Sequence, residues 1–152
     1  MSVLSAQTIR KLCLITPFHE RTVENGMTFG LGPAGYDIRI RERRYLESQC
    51  SVLASSVEHF AMPTDVIGFV TDKSSWARRG VAMQNTIIEP GWRGFLTLEI
   101  SNHSADQIFV KPGSPIAQII FLRLDEPTEA PYAGKYQDQV SGPIPAIFEV
   151  KP

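Results

Sequence analysis

Turn-forming residues recur so densely in this sequence that a long helix has almost nowhere to run. Eleven glycines and eleven prolines are spread through the chain. From Ser51 onward they combine with Asp, Asn and Ser into punctuation: Pro63-Thr64-Asp65, Glu89-Pro90-Gly91, Asn102-His103-Ser104 and Lys111-Pro112-Gly113. Proline removes a backbone donor and glycine opens conformations that other residues resist, so each cluster ends a regular element. Short apolar runs lie between, and residues 66–71, 95–101, 108–111 and 116–124 read as strands. Residues 34–40 alternate in the same way. Strands this short at this spacing predict an all-β sandwich or barrel with one or two small helices. The clearest helix is 5–12, with Ser5 as N-cap, Arg10 and Lys11 late, and Leu4, Ile9, Leu12 and Cys13 at helical spacing. Pro17 closes that segment.

A chain of 152 residues fits one domain, read here as 1–152. Beyond Asp125 the character changes: Pro127, Pro131, Gly134, Gly142, Pro143 and Pro145 break regular structure, while Tyr132, Lys135, Tyr136, Gln137 and Gln139 supply polar and aromatic groups. Residues 126–152 therefore read as a C-terminal arm that either frays or orders over a site. With 43% hydrophobic and 20% charged residues the chain is globular, and a formal net charge of -1 gives no basic field to attract nucleic acid. No run approaches the roughly 18 apolar residues of a membrane span. Cys13 and Cys50 lack metal-ligand spacing and read as small buried side chains of a reduced, cytoplasmic protein.

Two stretches carry chemistry. At 71–80, Lys73, Ser74, Ser75 and Arg78 gather at the mouth of a short helix, where free N–H groups and the macrodipole favour an anion. At 89–100 a turn is followed by alternation that points Leu96, Leu98 and Ile100 one way and Phe95, Thr97 and Glu99 the other. A carboxylate in so apolar a strand is costly to bury unless paired or protonated. On the residues alone two readings of Glu99 stay open, a solvated group on an outer face and a buried acid/base. Likewise Arg78 and Arg79 read as surface charges or site cations, and Lys73-Ser74-Ser75 as a helix cap or a phosphate cradle. Trp76 and Trp92 read as core or interface residues before base-stacking platforms.

Taken together, Lys73-Ser74-Ser75-Trp76-Ala77-Arg78-Arg79-Gly80 and Glu89-Pro90-Gly91-Trp92-Arg93-Gly94-Phe95-Leu96-Thr97-Leu98-Glu99 closely resemble the dCTP deaminases of the dUTPase-like superfamily. Residues 5–12, the stretch from Lys111 to Gln118, and the tail from Gly134 to Gln139 with Gly142-Pro143 agree in order. The resemblance implies a distorted jelly-roll assembled as a homotrimer with sites shared between subunits. It implies dCTP as substrate, with Mg²⁺ carried on its triphosphate, and dUTP and ammonia as products that feed dUMP and dTTP synthesis. By position, Glu99 matches the acid/base, with Ser74 and Arg78 placing water and carboxylate. Lys73, Ser74, Ser75, Trp76, Ala77 and Arg78 match the nucleotide-binding segment. Glu89, Thr97, Leu98, Gln118, Tyr132, Lys135 and Gln139 match the remaining nucleotide contacts. The implied partners are dCTP and dUTP, dTTP as an inhibitor, and further copies of the chain; nucleic acid and membrane are not among them.

The sequence departs from the family in three places. Glu89 stands where an Asp is usual, the loop at 83–87 is shorter than the norm, and the tail at 141–146 lacks the common Pro-Ser-Arg ending, with Tyr132 close to Lys135. Zinc deaminases mark their metal with a His or Cys beside a Glu and a Pro-Cys-x-x-Cys pair. That signature is absent here, so the expected chemistry uses no zinc and rests on Glu99. Two other readings remain: a dUTP diphosphatase or bifunctional enzyme using Glu89, and a noncatalytic nucleotide-binding trimer.

Overall fold

The computed structural model describes residues 2–150; the last two positions of the 126–152 arm lie outside the described residues. The order is β1 (Ser2–Val3), α1 (Ala6–Leu12), β2 (Ile15–Thr16), β3 (Thr22–Glu24), β4 (Met27–Gly32), β5 (Gly35–Arg39), β6 (Arg44–Leu46) and β7 (Ser51–Ala61). Then follow β8 (Val66–Asp72), α2 (Ser74–Ala77), β9 (Val81–Met83), β10 (Ile87–Ile88), β11 (Arg93–Asn102), β12 (Ile108–Val110) and β13 (Pro115–Arg123). The protein is all-β with two short helices, as the turn spacing predicts. A seven-stranded sheet runs β10-β8-β13-β5-β4-β3 with β1 beside β13, a four-stranded sheet runs β2-β7-β11-β9, and β12 pairs with β6.

Central position explains composition. Strand β13 pairs with both β5 and β8, and its Ile116, Ala117, Ile119 and Phe121 are all buried, so it reads as a nearly continuous apolar run. The half-exposed strands alternate more strictly. Ile38, Ile119 and Phe121 of the larger sheet join Phe60, Leu98 and Ile100 of the smaller in one core cluster. Within it Glu58, fully buried, accepts from Arg39 Nε at 2.8 Å and from the Arg39 backbone N–H at 2.9 Å. That pairing is what permits a carboxylate in the interior.

Two local expectations are corrected, the helix end and the burial of the cysteines, while Ser5 takes the N-cap position as expected. Helix α1 ends at Cys13, which takes the left-handed conformation at φ 51°, before Pro17 is reached. Ser5 caps that helix with its backbone carbonyl, which accepts from Thr8 and Ile9, while its hydroxyl meets Thr8 Oγ1 instead. Both cysteines are exposed, Cys13 because it forms that helix end and Cys50 because it sits in the turn before β7. No helix among the described residues is long and apolar enough to cross a membrane.

Candidate active site

A turn and a bulge aim the face of β11. Glu89-Pro90-Gly91-Trp92 closes with Trp92 N–H donating to Glu89 O at 3.1 Å, and Gly91 adopts φ 82°, the geometry that needs glycine at the third position. The ladder with β7 then shifts between Phe95 and Thr97. The extra residues lie on β7, and Leu96, partly buried, packs against the core cluster to which Leu98 belongs. Leu96 joins Thr97 and Glu99 in lining a cavity of about 710 Å³, while Leu98 and Ile100 are fully buried. Leu98, expected as a nucleotide contact, is not among the residues that line the cavity.

Three segments close over that face. From the loop before β10 come Gln84, Asn85 and Thr86; from the turn, Glu89 and Trp92; from the tail, Tyr132, Lys135, Tyr136, Gln139, Ile144, Ala146 and Glu149. The tail is tied down by specific bonds. Trp92 Nε1 donates to Tyr136 O at 2.6 Å, Gln139 Nε2 donates to Thr97 Oγ1 at 2.7 Å, and Ile144 N–H donates to the same hydroxyl at 3.1 Å. Residue 139 also forms a parallel bridge with Gly94, where a side chain on residue 94 would meet Gln139 N at 2.7 Å. Tyr132 Oη accepts from Tyr136 N–H at 3.1 Å, so the tyrosine ring bridges its own loop.

Glu99 is half-buried, and burial pushes its carboxyl above the ordinary range. Its backbone is held by the loop: Glu99 N–H donates to Asn85 Oδ1 at 2.9 Å and Glu99 O accepts from Gln84 N–H at 2.8 Å. Three glutamates, Glu89, Glu99 and Glu149, share the cavity with one lysine, Lys135, and Lys135 Nζ lies 3.0 Å from Glu149. A partly desolvated carboxyl holds its proton more readily than a free one and can serve as acid or base.

The other candidate residues lie elsewhere on the chain. Lys73 is buried, with its ammonium 2.7 Å from Asp37. Trp76 is a core residue whose Nε1 donates to Pro115 O at 2.7 Å, and Ser74, Ser75, Ala77 and Arg78 are exposed at α2. Gln118 stands on β13 between Asp37 and Thr71 in register, and its carbonyl accepts from Thr71 Oγ1 at 3.0 Å. The chain thus carries two separate clusters, one of Glu89, Thr97, Glu99, Tyr132, Lys135 and Gln139, the other of Lys73, Ser74, Ser75, Arg78 and Gln118. Among the described residues no three His, Cys, Asp or Glu side chains gather as a metal cage. Sequence reading missed Asn85, Ile144, Ala146 and Glu149 as members of the site. Only the position of Asn85 in the shortened loop signalled any of them.

Residues 37–124 match the family model described as dCTP deaminase-like. The chain belongs to the dCTP deaminase-like family. A relative named dCTP deaminase from Acidobacterium capsulatum is 33% identical, covering 97% of this chain and 100% of that protein. One of the same name from Pyrococcus horikoshii is 33% identical, covering 85% of this chain and 87% of its own length. Among solved structures, 2'-deoxycytidine 5'-triphosphate deaminase from Agrobacterium tumefaciens superposes with TM-score 0.65 at 22% identity, covering 81% of this chain and 49% of that one. The native EIAV dUTPase superposes with TM-score 0.60 at 20% identity, covering 80% and 97%. These two likenesses establish the dUTPase-like β fold of this dCTP deaminase-like chain.

Proposed function

We propose that this chain hydrolyses dCTP, presented with Mg²⁺ on its triphosphate, to dUTP and ammonia. The observation that carries this reading is the half-buried Glu99, its carboxyl raised by burial, on the wall of a cavity that also presents Thr97, Tyr132, Lys135 and Gln139. Glu99 takes a proton from water as the oxygen adds to C4, and passes it to N3. It then accepts the second proton of the added water and delivers it to the amino group as the C4–N bond breaks. The sum is water in, a carbonyl at C4 and ammonia out. Thr97 faces the base beside Glu99, and Tyr132, Lys135 and Gln139 cover the nucleotide.

Charge argues that one chain holds only part of the site. Three glutamates against one lysine repel a triphosphate. Mg²⁺ on the substrate offsets part of that repulsion, and α2 of a second copy in a trimer supplies Ser74, Ser75 and Arg78. Arg78 then settles the Glu99 carboxylate, and Ser74 holds the attacking water. Glu89 in the same cavity favours a second reading, attack on the α-phosphate of dUTP by water that this carboxylate activates.

Incubation of the purified protein with Mg²⁺ and dCTP, then with dUTP, separates the readings. Ammonia and dUTP from dCTP support deamination, and dUMP with pyrophosphate from dUTP supports the second. Failure to release ammonia from dCTP overturns the first reading.

A further inference from the structure

Strand β9 ends at Met83, opposite Ile100, and from there the backbone leaves the sheet to run over the cavity. One more ladder bond survives, from Gln84 N–H to Glu99 O at 2.8 Å. Beyond it, regular pairing would give the Glu99 N–H the carbonyl of Gln84 and the Thr97 carbonyl the N–H of residue 86. Both are satisfied by one side chain: Asn85 Nδ2 donates to Thr97 O at 2.7 Å, and Glu99 N–H donates to Asn85 Oδ1 at 2.9 Å. A primary amide offers a donor and an acceptor at this separation at any working pH. Its orientation follows from the two backbone groups it faces, since the reverse would set oxygen against oxygen and N–H against N–H.

We infer that Asn85 is a positioning residue for Glu99. Its amide stands in for the peptide groups of a strand that has stopped, clamping the backbone on either side of Leu98 while 85–87 turn away to line the mouth. This rests on the reading of Glu99 as the acid/base. The clamp resolves a conflict built into the short loop: the backbone must leave the sheet to make a wall, yet the strand behind it must stay flat for Thr97 and Glu99 to face the substrate together. Asn85 also lines the cavity, so direct substrate contact is the rival role, and the two differ in what a substitution changes.

The test combines a backbone readout with kinetics, on the full chain. In Asn85→Ala the Glu99 amide proton, followed by NMR, exchanges at least tenfold faster than in the parent. Its kcat for dCTP falls by about 10- to 100-fold, the effect of a small misplacement of the reacting group, while KM changes by less than threefold. Asn85→Asp keeps the acceptor but sets an ionised oxygen against the Thr97 carbonyl. Protonation restores a donor beside an acceptor, so its activity relative to the parent rises as pH falls toward the carboxyl range. A general loss of packing gives no such pH dependence, so Asn85→Asp remains informative where Asn85→Ala is poorly folded. Unchanged exchange at the Glu99 amide, a raised KM at constant kcat, or a flat relative pH profile overturns the proposal. Failure of the parent to release ammonia overturns the acid/base reading separately, because amide exchange reports the clamp without turnover.

Discussion

At the scale of single residues, the chain spends stability on Glu99. Burial raises its carboxyl above the ordinary range, so the folded state binds its proton more tightly than the unfolded state does. Above the folded pKa both states are ionised and the folded protein carries the full cost of a desolvated charge; below the unfolded pKa both are protonated and the cost is gone. Glu99→Gln should therefore unfold at a higher temperature than the parent at neutral pH, with the difference vanishing as pH falls below the usual carboxylate range. Thermal denaturation at several pH values measures this, and a variant less stable at neutral pH would contradict it. The same substitution should lower the rate of ammonia release by at least about 100-fold, the scale of a lost general acid/base, with nucleotide binding retained. Lys135 makes the opposite case. Its ammonium is held by an exposed glutamate, Glu149, and that pairing competes with the phosphates. Glu149→Gln should tighten dCTP binding by about two- to fivefold, the range of an exposed ion pair, as read by titration calorimetry; weaker binding would mean Glu149 assists the ligand.

At the scale of elements, β11 and the tail form one working unit. The parallel bridge at Gly94 leaves no room for a side chain, since a Cβ there would stand 2.7 Å from Gln139 N. Gly94→Ala should lift the tail from β11, break the Gln139 bond to Thr97, and make residues after Asp125 more sensitive to limited proteolysis. Weakened nucleotide affinity should accompany it, and an unchanged cleavage pattern would show that the tail is held elsewhere. Much of this architecture was legible in the sequence. The turn clusters set strand ends to within a residue or two at β8, β11, β12 and β13, and alternation put Thr97 and Glu99 on one face. The bulge was not legible, because two extra residues in β7 leave no mark on composition. Nor was Asn85, whose role depends on where β9 stops, nor Glu149, which reaches the cavity only through the path of an irregular tail. Nor was the burial of Glu58, which depends on Arg39 from the neighbouring sheet.

At the scale of the whole molecule, the two clusters matter most. Lys73 is neutralised by Asp37 within its own chain, whereas Ser74, Ser75 and Arg78 stand exposed beside no carboxylate of the Glu99 cavity. On the proposed reading, the cavity with its three glutamates and one lysine takes a triphosphate only when cations and hydroxyls arrive from another copy. Closed rings of subunits pair one such surface with its complement at every interface. Subunit mixing tests this most directly. Glu99→Gln and Ser74→Ala proteins, each inactive alone, are unfolded together, refolded as mixed assemblies and assayed for ammonia release from dCTP. If each site takes its glutamate from one chain and its serine from the next, about a quarter of the sites in a statistical mixture are intact, and activity returns to about that fraction of the parent level. Mixtures as inactive as the separate variants would place both residues in the same chain's site, and undiminished activity of either variant alone would remove that residue from the reaction.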